Sequence, residues 1–158
     1  MVVPATSPAM RVAWNRLTSP LPIRDTRVPF TLDVEKDDNG QFFEILLRPD
    51  RAEQVRLAVL DIAPKARHLL LQAKWGNESA KYLCGHDERF WFAAAVPESA
   101  HASSVVAAQE ALKPDAVSDS QLRHQVKAKH RNRRKNAGFI RQGEWFFVPQ
   151  GQTPYYPE

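Results

Sequence analysis

Apolar and polar side chains alternate in two stretches of the chain, between Phe30 and Glu35 and again between Phe43 and Leu47. A period of two is typical of a β-strand that buries one face. The segment Asp37–Gly40 lies between the two stretches and contains asparagine and glycine, which tolerate the positive φ of a tight turn. The pattern therefore predicts a β-hairpin over residues 30–47.

Further runs of apolar residues follow before residue 97. They are separated by proline, by glycine–asparagine or by charged residues, which is typical of turns between short strands. The runs are Val55–Ile62, Leu69–Trp75, Lys81–Cys84 and Phe90–Val96. Together with the hairpin, they predict an antiparallel meander of five or six strands over residues 30–97.

The spacing of apolar residues lengthens after residue 100. It predicts a short amphipathic helix over residues 103–112, which Pro114 ends. A second helix is predicted from Ser120 to about Lys135, with Gly138 just past its end. The aromatic string RQGEWFFVP at residues 141–149 then predicts a closing β-hairpin.

These elements predict an α+β fold, in which two helices pack on an antiparallel meander sheet and an aromatic β-hairpin closes the domain. Prolines are dense before residue 30, so residues 1–29 are expected to form an extended Pro-rich arm. Residues 30–149 are expected to form a single domain. Residues 150–158 are expected to form a flexible tail.

The net charge of +4 is distributed unevenly along the chain. Residues 118–141 hold eight Lys or Arg residues and one acidic residue, whereas residues 1–117 hold fourteen basic and fifteen acidic residues. A concentrated cationic segment of this kind is typical of contact with a polyanion. The aromatic residues Phe139, Trp145 and Phe146 lie just downstream, and aromatic rings can stack on bases.

The leading functional hypothesis is therefore a nucleic-acid-associated binding module for RNA or DNA, which uses a basic helix and the adjacent aromatic hairpin. A protein or acidic-ligand contact and a merely solvated helix end are the competing interpretations of the same segment. The expected nucleic-acid-binding residues are Lys127, Arg131, Arg133, Arg134, Lys135, Arg141 and Trp145.

An alternative hypothesis is an enzyme with a Cys/His site. Cys84 and His86 occur in the polar string CGHDER between two apolar runs, where the cysteine can act as a nucleophile and the histidine as its base. His130 can join them if the second helix meets this string. A hairpin loop explains the same string, and a metal site is weakly supported because no second cysteine is present. The sequence leaves open whether the chain is an enzyme, and no metal or cofactor is expected. A third hypothesis is a scaffold or assembly subunit, which an exposed aromatic hairpin would favour.

The strings CGHDERFWFAAAVP, at residues 84–97, and RQGEWFFVP resemble segments of an uncharacterised bacterial protein family. The resemblance covers 23 of the 158 residues and implies no catalytic role for any of them. It also implies that the related proteins continue into a His-rich portion, so that this chain corresponds to their N-terminal part.

Two compositional features bear on the compartment. Cys84 is the single cysteine, so the chain cannot form an internal disulfide, which fits a reducing compartment. Its apolar runs are shorter than the roughly 20 residues of a membrane span, and the N-terminus has no secretory pattern. A cytoplasmic protein without a membrane partner is therefore expected.

Overall fold

The computed structural model describes residues 10–13, 28–87, 91–142 and 145–149. Contacts divide the chain into two compact units, Met1–Ala111 and Leu112–Glu158. Most of the expected arm and the whole expected tail lie outside the described residues. The boundaries expected from the sequence therefore stay predictions.

The first sheet of the N-terminal unit has three strands: β1 (Met10–Ala13), β2 (Phe30–Asp37) and β3 (Gly40–Leu47). Strands β2 and β3 form the predicted hairpin, with Phe30 opposite Leu47 and Asp37 opposite Gly40. Strand β1 pairs with β3 in parallel, so part of the expected arm belongs to this sheet.

The second sheet is an antiparallel meander whose strands are adjacent in chain order. Its strands are β4 (Val55–Ala63), β5 (His68–Trp75), β6 (Glu78–His86) and β7 (Trp91–Val96). The antiparallel α+β class is confirmed, but the strands form two sheets where a single meander was predicted. A short 3-10 turn at Ala52–Gln54 stands between β3 and β4, and these two strands do not pair.

The core of the N-terminal unit lies between the two sheets. Phe43 and Ile45 of β3 pack with Leu69 and Leu71 of β5, and all four are at most 1% exposed. Burying one such side chain contributes about 1.5–3 kcal/mol. The ring of Phe30 meets the ring of Trp75 edge to face, with centroids 5.7 Å apart. The alternating residues of both sheets therefore supply one shared core.

Helix α1 (Val105–Ala111) contacts β4, β5 and β6 of the second sheet. It lies within the segment 103–112 that the apolar spacing predicts as a helix. Its first turn is capped twice: Ser104 Oγ accepts a hydrogen bond from Ala107 N at 3.2 Å, and Asp61 Oδ2 accepts one from Val105 N at 2.7 Å. The pairing of β4 with β5 shifts register between Val59 and Asp61, so the carboxylate that caps the helix lies at an irregular point of the strand.

The imidazole of His68 lies directly against Gly85, its neighbour across β5 and β6. A Cβ on Gly85 would overlap the His68 ring, lying 2.6 Å from Nε2 and 2.9 Å from Cγ. The ring is 5% exposed, contacts the Phe92 ring at 5.5 Å between centroids, and hydrogen-bonds through Nδ1 to Ala66 O. The missing side chain at Gly85 therefore makes the space in which the imidazole packs.

The C-terminal unit contains α2 (Asp115–Arg123) and a hairpin of β8 (Ile140–Gln142) and β9 (Trp145–Phe147). No helix in the described part of the chain is long and apolar enough to cross a membrane. The closing hairpin matches the sequence prediction. The second helix does not, because it starts at Asp115 and ends long before Lys135.

The end of α2 is a Schellman motif, which explains why the predicted helix over 120–135 is wrong. Gln125 adopts a left-handed conformation with φ +52°, its N–H donates to Leu122 O, and Val126 N donates to Gln121 O at 2.9 Å. Val126 is 7% exposed, so burial of this side chain supports the motif. The left-handed position is normally occupied by glycine, and a glutamine there leaves no sequence signal for the helix end.

Candidate nucleic-acid interface

The basic residues that follow α2 lie on a loop. We call residues 127–135 the basic loop; it contains one 3-10 turn, Ala128–His130, and otherwise irregular backbone. The C-terminal unit as a whole holds nine basic and four acidic residues, whereas the N-terminal unit holds thirteen and fourteen. The excess positive charge of the chain therefore belongs to the C-terminal unit.

Two side chains hold the middle of the basic loop from inside. Gln121 of α2, which is 2% exposed, donates from Nε2 to Arg131 O at 2.7 Å. Lys113 donates from Nζ to the same carbonyl oxygen at 3.1 Å and to Gln121 Oε1 at 3.4 Å. The buried amide and the ammonium group satisfy each other and the loop backbone together, so the loop has a fixed path over α2.

Asn136 holds the end of the basic loop to the start of the hairpin. Its Nδ2 donates to His130 O at 3.2 Å and to Arg133 O at 3.4 Å. Its Oδ1 accepts from Gly138 N at 2.8 Å and from Phe139 N at 3.2 Å. One amide thus uses both of its ends on backbone groups, which is a common way to stabilise an irregular turn.

The chain between the loop and β8 packs closely on α2. Ser120 Oγ donates to Gly138 O at 2.7 Å, and both residues are buried. A Cβ on Gly138 would lie 2.9 Å from Cα of Gln121, so this close approach requires glycine. Glycine therefore serves here for packing and does not mark the end of the predicted helix.

Since these internal bonds use the backbone carbonyls of the loop, the cationic side chains are left at the surface. Lys127, Lys129, Arg133, Arg134 and Lys135 are exposed, and Arg131 is half-buried with Nε donating to Val126 O at 3.2 Å. Within the described part of the chain, no carboxylate pairs with the cations at positions 127, 129, 131, 133 and 135. The loop therefore presents a cluster of positive charge at these five positions, which the described carboxylates leave unpaired.

The structure changes how the expected binding residues are grouped. On a helix, Lys127, Arg131, Arg134 and Lys135 would share one face, and the loop removes that geometry. The backbone of Lys135 instead pairs with that of Ile140 in a single antiparallel β-bridge, and Arg141 N donates to Arg134 O at 2.7 Å. The end of the basic loop is thereby joined to the first strand of the hairpin.

His130 lies among the cations of the loop. It is half-buried, and its Nδ1 has no hydrogen-bond partner among the described residues. Desolvation, together with the positive charges of Arg133, Lys129 and Lys127, lowers the pKa of this imidazole below its usual value. His130 is therefore protonated less readily than an ordinary histidine and adds little to the positive charge of the loop.

The hairpin separates its aromatic residues between two environments. Phe139 is 2% exposed and meets the half-buried Phe146 edge to face, with centroids 5.3 Å apart. Phe147 is 55% exposed and Ile140, its cross-strand partner, is 43% exposed. Phe139 is therefore a packing residue. Among the aromatic side chains described in the C-terminal unit, Phe147 is the exposed one and is available to a ligand. The backbone of Trp145 pairs with Gln142, and its side chain lies outside the described residues.

Phe147 is the candidate residue that the sequence pattern did not single out. The signal was present in the alternation of RQGEWFFVP, since residues 146 and 147 must point to opposite faces of a strand. The sequence does not say which of the two faces is buried.

The alternative Cys/His site is divided between the two units. Cys84 and His86 lie on one face of strand β6, although a hairpin loop was one of the structures expected for this string. His130 belongs to the C-terminal unit. Cys84 is 0% exposed, and burial raises the pKa of its thiol to about 12. A nucleophilic cysteine requires an accessible thiolate, which this environment disfavours. The catalytic hypothesis for these residues stays a prediction.

His86 packs against an aromatic ring. Its imidazole meets Trp91 edge to face with centroids 4.8 Å apart, and the Arg67 guanidinium lies 5.4 Å from the same Trp91 ring. Among the described residues, no group of three or more His, Cys, Asp or Glu is arranged to hold a metal ion.

No family model, no curated protein and no solved structure matches the chain. The resemblance to a bacterial family, drawn from two short strings, therefore stays a prediction.

Proposed function

We propose that the C-terminal unit binds nucleic acid through its phosphate backbone, with the basic loop as the contact surface. The observation that carries the proposal is the direction of the loop: its carbonyl oxygens bond inward to Lys113, Gln121 and Asn136, and its cationic side chains are exposed. Phosphate oxygens are the ligands that a row of Lys and Arg side chains neutralises.

The fixed path of the loop also favours binding. A flexible basic segment would lose conformational freedom when it bound a polyanion, and that loss would weaken the complex. Here the anchors on Arg131 O, His130 O and Arg133 O order the backbone before any ligand arrives. No described carboxylate pairs with the cations at positions 127, 129, 131, 133 and 135, so they repel one another, and phosphates would relieve that repulsion.

Salt dependence of binding tests this proposal. Each phosphate contact adds about −0.9 to the slope of log affinity against log salt on duplex and about −0.7 on single strands. Four or five contacts would give a slope of about −3 to −4.5. The measurement is fluorescence anisotropy of a labelled mixed-sequence oligonucleotide between low and moderate potassium chloride concentrations.

The variant that tests the surface replaces Lys127, Lys129, Arg133 and Lys135 with glutamine. We expect the slope to fall to between about −1 and zero and most of the affinity to be lost. Thermal stability should change little, because exposed charges contribute little to folding. The matched control removes four exposed cations of the N-terminal unit by replacing Lys36, Arg51, Lys65 and Lys74 with glutamine.

The control variant has the same net charge as the test variant, so it separates a local contact from a general charge effect. We expect it to keep the wild-type slope. Equal losses in both variants would refute a specific surface. Absence of binding by the wild-type chain at low salt would refute the proposal as a whole.

A further inference from the structure

Three exposed side chains form one cross-strand row that begins at the last residue of the basic loop. Lys135 is bridged to Ile140, and Ile140 lies opposite Phe147 across β8 and β9. Residues directly opposite each other in an antiparallel pair point to the same face. The ammonium group of Lys135 therefore belongs to the same face of the hairpin as the Ile140 side chain and the Phe147 ring.

The apolar part of this row is not used by the core. The other face of the hairpin is occupied by Phe146, which packs on the buried Phe139. Phe147 is 55% exposed and Ile140 is 43% exposed, although aromatic and branched side chains on such a short hairpin would gain from burial. Ile140 and Phe147 together form a small exposed apolar surface, and cross-strand pairing places them side by side next to the cation Lys135.

The dimensions of the row suit a nucleotide. Neighbouring strands lie about 4.8 Å apart, so Phe147 lies roughly 10 Å from Lys135, with Ile140 between them. The flexible ammonium arm of Lys135 can reach a phosphate while the ring of Phe147 remains available to the attached base. The row thus combines a cation and an aromatic surface, the two elements with which proteins hold single strands.

We infer that the row Lys135–Ile140–Phe147 is a stacking platform for an unpaired base, which makes the unit selective for single-stranded nucleic acid. The inference rests on the proposed function, since the basic loop supplies the phosphate contacts. In a duplex the bases are stacked on each other and their faces are closed to Phe147. A single strand leaves them open, so single strands gain a contact that duplexes lack.

The test compares three fluorescein-labelled probes of equal length: an oligouridine, an abasic oligomer with the same number of phosphates, and a duplex. Phe147→Ala is expected to weaken binding of oligouridine by about 5- to 150-fold, the range that loss of one base–aromatic stack gives. Binding of the abasic oligomer and the duplex should not change. The salt slope should also be unchanged, because no phosphate contact is removed.

Two further variants make the result specific. Phe147→Tyr retains an aromatic face and should keep wild-type affinity for oligouridine. Leu122→Ala is the matched control, because Leu122 is a 64% exposed apolar residue of the same unit and lies outside the row. It should leave all three affinities unchanged.

The outcomes separate this inference from the proposed function. If the loop variant loses binding and Phe147→Ala does not, or weakens the abasic probe equally, the stacking platform is refuted and the phosphate-binding loop stands. If Phe147→Ala instead abolishes a concentration-dependent dimer, the row is a contact between copies of the chain and the inference is refuted. If the wild-type chain binds none of the probes, both proposals fail.

Discussion

Replacement of Gly85 by alanine should destabilise the N-terminal unit through the ring of His68. The new Cβ would lie 2.6 Å from Nε2 and 2.9 Å from Cγ of His68, whereas unstrained carbon contacts lie at about 3.5–4.0 Å. The ring would therefore have to retreat by roughly 1 Å. It cannot do so freely, because Phe92 lies against it and its Nδ1 bonds to Ala66 O.

The expected cost follows from these contacts. Insertion of a methyl group into a well-packed site costs about 1–3 kcal/mol. If the ring also gives up its hydrogen bond to Ala66 O, about 0.5–1.5 kcal/mol is added. We therefore expect Gly85→Ala to lower the free energy of unfolding by about 2–4 kcal/mol, a large part of the stability of a small domain.

A double-mutant cycle identifies the ring as the cause. In a His68→Ala background the clash is gone and the new methyl group fills part of the vacated space, so Gly85→Ala should cost nothing there. It should even stabilise by about 0.5–1 kcal/mol, since alanine has less conformational freedom to lose in a strand than glycine. The measurement is urea unfolding of the four proteins, followed by fluorescence and compared at constant m-value. A coupling energy below about 0.5 kcal/mol would show that the two sites are independent and that the His68 ring is not the cause of the destabilisation.

Two other predictions concern single residues. Gln125→Gly should stabilise the C-terminal unit by up to about 1 kcal/mol, because it removes a left-handed non-glycine residue at φ +52° from the end of α2; a loss of stability in urea unfolding would contradict this. The Cys84 thiol, whose pKa is raised to about 12 by burial, should not react with a thiol reagent at pH 8 until the unit unfolds. The thiol of the unfolded chain releases its proton near pH 9, so the free energy of unfolding that is linked to Cys84 is fully present below pH 9 and is lost as the pH rises toward 12. A Cys84→Ser variant that lost stability in the same alkaline range would refute this linkage.

The strands were predictable because their signal is local. Alternation between Phe30 and Glu35 and the apolar runs up to Val96 depend only on neighbouring residues, and each corresponds to a strand. The division into two sheets was not predictable from them. It depends on which strand edges pair after the turn at Ala52–Gln54, and no residue pattern records that choice.

The candidate site was predictable in composition and not in geometry. The charge count located the basic residues, but the sequence predicted a helix to Lys135 because nothing marks the end at His124. Gln125 takes the place that glycine normally marks. Phe139 is buried and Phe147 is exposed because of how each packs against residues elsewhere in the unit. The period-two pattern of the sequence does not contain that information.

The first turn of helix α1 depends on the length of strand β4, because the carboxylate of Asp61 in β4 caps it. Val105, whose N–H donates to this carboxylate, lies 44 positions later in the chain. Because successive side chains of a strand point to opposite faces, deletion or insertion of one residue beside the register shift at Val59–Asp61 would turn the carboxylate away from the helix. The hydrogen bond from Val105 N to Asp61 Oδ2 is then lost although neither Asp61 nor α1 has changed, and Ser104 alone caps the first turn. A single-residue change of length within β4 is therefore expected to weaken the first turn of a helix that is remote in sequence.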